Sequence, residues 1–398
     1  MTPARRPTRA GRRRLQRTRG SLALAAAALA IVTTGLVAGF RVDLYDVAPP
    51  GAENQGSELV TTEVVGIRTF TPSDAVTVTT DIVYGIQPDG AVLTLDVCSP
   101  MAPHSATSPD ATATPTVDVG DLDVGDSDPD EAVLPGPATS TGTETGSAPA
   151  NAAAPPNAAA SVNAQAPELL PAVISVHGGS WARGDKGNSD WRLVCQWLAS
   201  AGFVAYSVNY RLVPDAVFPA AIDDLQLAVE WMRDPNNAKK YGIDPDRIGA
   251  FGGSAGGNLV ALLGTRGQGA LTTHSRVAAV AELSGPVDLR ATGLVNATDG
   301  LTRISRAYLG CASINRCAQS VEASASSRLD HSDPPVFIGT SSDEFIPVRQ
   351  STDFTAQLER LGIRHELVVV PGNLHSIGIL DEAMRARVAG FLHTELGW

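Results

Sequence analysis

The stretch Arg247-Ile248-Gly249-Ala250-Phe251-Gly252-Gly253-Ser254-Ala255-Gly256 decides the fold of this chain. Its first half is a short, mostly apolar run typical of a buried strand, and Asn258–Gly264 continues as a helix-like segment. Between them Ser254 stands in a Gly-x-Ser-x-Gly pattern, whose glycines leave room for a sharp, strained turn. Such a turn lifts the serine hydroxyl out of the sheet and places a helix N-terminus beneath it, where negative charge is favoured. The pattern therefore predicts a nucleophilic serine at the end of a strand.

Strand-like and helix-like runs alternate from Ala172 to the end of the chain. The apolar, β-rich runs are Ala172–Val176, Val204–Val208, Arg247–Phe251, Val277–Leu283, Val336–Ile338 and His365–Val370. The amphipathic runs are Trp191–Ser200, Ala220–Arg233, Asn258–Gly264, Thr352–Leu361 and Ala383–Leu396. Short apolar strands separated by helices predict an α/β fold with a mostly parallel central sheet and helices on both faces. In such sheets the functional site lies at the carboxyl ends of the strands.

Two further segments precede this alternating region. Residues Val76–Val97 alternate around Pro88-Asp89-Gly90, which predicts an N-terminal β-hairpin. From about 101 to 167 the chain is rich in Ala, Pro, Ser, Thr, Asp and Gly and contains no aromatic residue. This composition predicts a disordered, acidic insertion within a single domain that covers 41–398.

The N-terminus has the pattern of an export signal. Residues 1–20 contain eight arginines and no acid, and Ser21–Phe40 carries no charge. Because arginines stay on the cytoplasmic side, we expect a basic cytoplasmic segment over 1–20 and a signal anchor or a cleaved signal peptide over 21–40. The rest of the chain is then extracytoplasmic, either tethered to the cell membrane or secreted.

The charge balance excludes one class of partner. The formal net charge of −12 already includes the N-terminal arginines, so the remainder of the chain is more acidic still. Such a surface repels nucleic acid, so the expected contacts are a small-molecule substrate and, through the N-terminus, a membrane.

Four cysteines are expected to form disulfides in an oxidising compartment. Cys311 and Cys317 lie in one polar loop and are the natural pair, which leaves Cys98 with Cys195. Three connectivities are possible, and the sequence does not choose among them. Neither a Cys-x-x-Cys nor a Cys/His ligand spacing occurs, so no metal site is predicted.

Further polar or glycine residues follow the predicted strands. Gly178 and Gly179 come directly after a strand, and their N–H groups, with that of Ala255, are suited to an oxyanion hole. Asp343 and His375 each follow a later strand, so the order Ser254, Asp343, His375 suggests a nucleophile, a carboxylate and a base. Glu344 is the adjacent competitor for the carboxylate. Among the seven histidines, only His375 follows a strand at the expected edge.

Taken together these motifs resemble the α/β-hydrolase superfamily, and most closely the carboxylesterases of its BD-FAE-like and hormone-sensitive-lipase-like groups. The resemblance covers about 76–100 and 168–398. It is carried by His177-Gly-Gly, Tyr210-Arg-Leu-Val-Pro214, Phe218-Pro-Ala-Ala-Ile-Asp-Asp224, the Gly-Gly-Ser-Ala-Gly-Gly of 252–257, Asp343-x-x-Ile-Pro347 and His375.

The resemblance implies an α/β-hydrolase fold and a catalytic role for each matched residue. Ser254 would attack an ester carbonyl, His375 would shuttle the proton, and Asp343 would orient the histidine. Gly178, Gly179 and Ala255 would donate to the oxyanion. The chain departs from the family pattern at Ser180, which replaces a third glycine, and at Gly253, where hormone-sensitive-lipase relatives often carry Asp.

The leading hypothesis is an extracytoplasmic serine hydrolase that cleaves small to medium carboxylic esters through an acyl-enzyme. No cofactor is expected, because protein groups supply the nucleophile, the base and the oxyanion donors. The alternatives are an amidase, formamidase or peptidase that uses the same residues, and a surface-tethered binding protein without turnover.

Overall fold

The structure is a computed structural model that describes residues 64–101 and 168–397. The basic segment 1–20, the apolar segment 21–40 and nearly all of the 101–167 insertion lie outside the described residues, so the expectations for them stay predictions.

Within the described residues, eight strands form one mixed sheet in the order β1-β2-β4-β3-β5-β6-β7-β8. The strands are β1 Val76–Ile86, β2 Val92–Pro100, β3 Leu170–Val176, β4 Val204–Val208, β5 Ile243–Gly253, β6 Ala279–Leu283, β7 Val336–Ser341 and β8 His365–Val370. β1 and β2 form the predicted antiparallel hairpin, and β2 also pairs antiparallel with β4. The other neighbours pair in parallel, which confirms the predicted sheet.

Helices cover both faces of this sheet. They are α1 Ser189–Ser200, α2 Ala220–Arg233, α3 Pro235–Tyr241, α4 Ala255–Gly264, α5 Asp299–Leu309, α6 Gln319–Glu322, α7 Arg349–Leu361 and α8 Glu382–Glu395. Successive strand residues lie in two different hydrophobic cores, one on each face of the sheet. Ile174 packs with residues of α2, α4, α5 and α7, whereas Val173 packs with residues of α1 and α8. This alternation is the period-2 pattern of a strand that is buried on both faces.

Three helices were not predicted from the apolar pattern, and two of them have clear capping residues. Asp234 accepts from Asn236 N–H at the start of α3, which has Pro235 in its first turn and ends at Gly242. Thr298 caps α5 in the same way, by accepting from the N–H of Leu301. The third, α6, is a single turn.

Two disulfides join parts of the fold. Cys98 in β2 is bonded to Cys195 in α1, and Cys311 is bonded to Cys317 in the segment between α5 and α6. The first ties the N-terminal hairpin to the helix that packs on it. Both pairs are those that the sequence favoured.

None of the helices in the described ranges combines the length and the apolar character that a membrane span requires. The predicted signal segment lies outside these ranges.

Candidate active site

Ser254 lies in the turn between β5 and α4 with φ +57° and ψ −121°. The backbone of this turn is so close to β3 that a Cβ on Gly256 would lie 2.0 Å from the carbonyl oxygen of Val176. The Ser254 N–H donates to the carbonyl of Leu283, the last residue of β6, at 2.8 Å. The serine is thus held in a strained conformation at the carboxyl edge of the sheet, as the glycine pattern predicts.

His375 lies beyond β8 and is paired with Glu344. Its Nδ1 is hydrogen-bonded to Glu344 Oε2, and the histidine side chain is 33% exposed while that of Glu344 is fully buried. A carboxylate only accepts, so Nδ1 carries a proton, and in the neutral imidazole Nε2 then keeps a lone pair. Burial opposes ionisation of Glu344, but the hydrogen bond and charge of His375 hold its pKa below the ordinary value. The histidine therefore has the tautomer of a general base.

The structure corrects the predicted carboxylate. Asp343 is exposed and its Oδ2 accepts from the hydroxyl of neighbouring Ser342 at 2.7 Å, so it does not contact His375. The turn after β7 directs residue 343 towards solvent and residue 344 towards the sheet edge. Glu344 then folds back on the strand, and its Oε1 accepts from the N–H of Ser341 at 3.1 Å. The longer side chain of glutamate makes this reach possible.

Gly178 and Gly179 approach Ser254 from the end of β3. A Cβ on Gly178 would lie 3.2 Å from the Cβ of Ser254, and Gly179 has φ +123°. The N–H groups of both glycines donate to no other group in the described part of the chain. Ala255 is the first residue of α4, where an N–H has no acceptor within its own helix. Three backbone donors are thus available beside the serine, at the positions predicted for an oxyanion hole.

The serine and histidine loops meet, although no hydrogen bond joins the side chains of Ser254 and His375 in the described structure. Contact is made by adjacent residues: a Cβ on Gly253, which precedes Ser254, would lie 2.1 Å from the Oγ of Ser376, which follows His375. Catalytic hydrogen bonds are commonly long without substrate and tighten when the substrate binds.

The comparisons with known proteins agree with the fold. The sequence model of the BD-FAE family matches residues 161–358, just under half of the chain. Arylacetamide deacetylase of Bos taurus is 44% identical over 96 residues, 24% of each chain. A protein of Mycobacterium tuberculosis named "Probable carboxylic ester hydrolase LipM" is 27% identical over 229 residues, which cover 55% of this chain and 52% of the relative. A solved structure, a truncated form of a carbohydrate esterase from gut microbiota, has a TM-score of 0.57 at 20% identity, covering 82% of this chain and 99% of that one.

The chain has the α/β-hydrolase fold, and its sequence is similar to the BD-FAE family and to carboxylic ester hydrolases. The resemblance drawn from the motifs is thereby confirmed. This α/β-hydrolase spans about a quarter of the length of the first curated relatives that it matches.

The loop of the α/β-hydrolase that carries Gly178 and Gly179 is held by a buried histidine. His177 stacks on Tyr210 with ring centroids 4.4 Å apart, and the Tyr210 hydroxyl donates to the His177 carbonyl at 2.9 Å. Burial lowers the pKa of His177 to about 4, so the ring is neutral and its Nδ1–H donates to the carbonyl of Gly178 at 2.8 Å. His177 therefore fixes the conformation of this loop.

Sequence reasoning missed one polar residue of this α/β-hydrolase that lies at the same edge. Ser284 directly follows β6 and donates to Glu344 Oε1 at 2.6 Å. Its position after a strand was the available signal, but a serine next to Gly285-Pro286 is indistinguishable from an ordinary turn residue. In the described ranges, no group of three or more His, Cys, Asp or Glu side chains is arranged to hold a metal ion.

Proposed function

We propose that this chain hydrolyses small to medium carboxylic esters through an acyl-enzyme formed on Ser254. The observation that carries the proposal is the pairing of His375 Nδ1 with the buried Glu344, beside a serine held at positive φ. The names of the relatives, which include a deacetylase and a carboxylic ester hydrolase, support the same reaction class.

The proposed reaction begins with attack of Ser254 Oγ on the ester carbonyl carbon. His375 Nε2 takes the serine proton, and Glu344 stabilises the imidazolium that forms. The negative oxygen of the tetrahedral intermediate accepts hydrogen bonds from the N–H groups of Gly178, Gly179 and Ala255.

Collapse of the intermediate breaks the bond to the alcohol, which leaves with the proton from Nε2. The acyl group stays on Ser254 as an ester. Water then attacks this ester while Nε2 takes its proton. Collapse of the second tetrahedral intermediate breaks the bond to Ser254 Oγ, which receives the proton from Nε2, and releases the carboxylic acid. Each step uses only groups of this chain and water.

Hydrolysis of p-nitrophenyl acetate, butyrate and octanoate by the full-length chain tests the proposal. We expect turnover that Ser254→Ala abolishes, and the preferred chain length measures the acyl pocket. Ser313→Ala, which removes an exposed serine hydroxyl elsewhere, is the matched control and should keep full activity. If all three proteins are equally inert towards these esters, the ester proposal is wrong, and formamide and peptide substrates then test the related reactions.

We also propose that the domain acts outside the cytoplasm. The arginine-rich residues 1–20, the uncharged Ser21–Phe40 and the two disulfides support this location, because disulfides persist in oxidising compartments. Fractionation of cells that express the full-length chain, with protease added outside the cytoplasmic membrane, is the test. A chain that stays in the cytosolic fraction with free thiols would contradict the proposal.

A further inference from the structure

Ser284 lies at the junction of the three loops that carry the proposed catalytic residues. It is fully buried, directly follows β6 and has φ +57°. Its N–H donates to the carbonyl of Gly339 in β7 at 2.7 Å. The preceding carbonyl, that of Leu283, accepts the N–H of Ser254. The backbone of this serine is thus fixed from both sides, directly beside the nucleophile turn.

The hydroxyl of Ser284 joins the carboxylate loop to the histidine loop. It donates to Glu344 Oε1 at 2.6 Å and accepts the N–H of Ser376 at 2.9 Å. Ser376 follows His375 in the chain and also has φ +57°. The same hydroxyl therefore binds the carboxylate of Glu344 and the backbone N–H of the residue that follows His375.

We propose that Ser284 is a positioning residue, whose hydroxyl group holds the side chains of His375 and Glu344 in the orientation that Ser254 requires. The inference rests on the proposed function, since it assigns Ser284 a role in that same reaction. Ser284 does not touch the reacting atoms. Its contribution is to keep the imidazole in the orientation that Glu344 and the serine require.

A second hydroxyl donates to the same oxygen of Glu344. It allows an experiment to distinguish positioning of His375 from stabilisation of the charge on Glu344. Thr340 Oγ1 also donates to Glu344 Oε1, at 2.9 Å, but in the described part of the chain it forms no hydrogen bond with the histidine loop. Thr340→Val removes this donor and keeps the shape of the side chain. If the hydroxyl groups act only on the charge of Glu344, Ser284→Ala and Thr340→Val should have similar effects.

Positioning predicts a larger effect for Ser284. Ser284→Ala removes a donor to a buried carboxylate and leaves the Ser376 N–H without its acceptor. We expect kcat to fall about 10- to 100-fold, with KM changed less than about threefold. Thr340→Val should lower kcat less than about fivefold. Equal losses for the two variants, or an unchanged kcat in Ser284→Ala, would overturn the inference.

A double-mutant cycle with Glu344→Gln measures whether the effects of the two substitutions on kcat are coupled. A purely structural role of Ser284 would give no such coupling. If Ser284 acts partly through Glu344, Ser284→Ala should lower kcat by a smaller factor in the Glu344→Gln variant than in the wild type. Independent losses that multiply would contradict the inference. Should Ser284→Ala fail to fold, Ser284→Gly provides the same test, because glycine adopts positive φ without strain.

These outcomes are distinct from failure of the proposed function. A wild-type chain without esterase activity would overturn the ester proposal itself. An active wild-type chain whose Ser284 variants keep their kcat would overturn only the role of Ser284.

Discussion

At the scale of single residues, the adjacent acids Asp343 and Glu344 differ in the length and in the direction of their side chains. Glu344→Gln should lower kcat about 10²- to 10⁴-fold, because a neutral amide neither fixes the Nδ1–H tautomer nor stabilises the imidazolium. Asp343→Asn should stay within about twofold of the wild type, since its exposed carboxylate contacts only Ser342. Turnover of p-nitrophenyl acetate by the two variants measures this difference, and the opposite ranking would return the role to Asp343.

The sequence alone did not decide whether Asp343 or Glu344 pairs with His375, and the reason is physical. Both residues follow β7 in one loop, and a strand pattern predicts where that loop begins but not how it turns. Which side chain points inward is decided by tertiary and turn contacts that the apolar pattern does not encode, such as those of Glu344 with the N–H of Ser341 and the hydroxyl of Ser284. The serine and histidine were easier to predict, because the glycine turn and the end of the last strand are local signals.

At the scale of structural elements, a buried ion pair joins the N-terminal hairpin to the loop that follows Gly179. Lys186 Nζ lies 2.8 Å from Asp96 Oδ1 in β2, and the two side chains are 6% and 1% exposed. Lys186→Met should lower the free energy of unfolding by about 3 kcal/mol, because Asp96 keeps only Arg192 as a cationic partner. Urea denaturation measures the loss.

An exposed ion pair provides the control for this prediction. Arg349 and Asp353 form an i,i+4 pair in α7 with side chains 40% and 62% exposed. Arg349→Met should change the free energy of unfolding by less than about 0.5 kcal/mol, because solvent screens the pair. Equal effects of the lysine and arginine substitutions would show that the buried pair does not anchor the hairpin.

The elements predicted from sequence are those whose signal is local. The hairpin and the central parallel strands have apolar patterns that depend only on neighbouring residues. Helix α5, in contrast, was missed although it is amphipathic: Leu301, Ser305, Tyr308 and Leu309 are buried at helical spacing on one face. Its many polar residues obscured this pattern in the sequence, and Tyr308 packs by stacking on Trp181 with ring centroids 4.4 Å apart.

At the scale of the whole molecule, Glu282 is predicted to couple stability to pH. It lies fully buried in β6, one of its carboxylate oxygens accepts the N–H of Gly285 at 2.6 Å, and the other has no hydrogen-bond partner in the described structure. Burial raises its pKa from 4.5 to about 8, so the folded protein keeps a proton that the unfolded chain has released. The free energy of unfolding therefore falls as the pH rises from the lower to the higher of these two pKa values.

The substitution Glu282→Gln should remove this pH dependence, because an amide resembles the protonated acid. Between about pH 5 and pH 8, the stability of the wild type relative to the variant should fall by up to about 1.4 kcal/mol per pH unit. Urea denaturation at three pH values within this range measures both proteins. Parallel pH profiles would mean that Glu282 ionises normally in the fold.

The central claim is that Ser254 is a nucleophile activated by His375 and Glu344, and covalent labelling of the full-length chain tests it most directly. The chain should react rapidly with a fluorophosphonate, and peptide mass spectrometry should place one adduct on Ser254. Labelling should vanish in Ser254→Ala, slow strongly in Glu344→Gln and remain near the wild-type rate in Asp343→Asn. An adduct at another residue, or equal labelling of wild type and Ser254→Ala, would contradict the account.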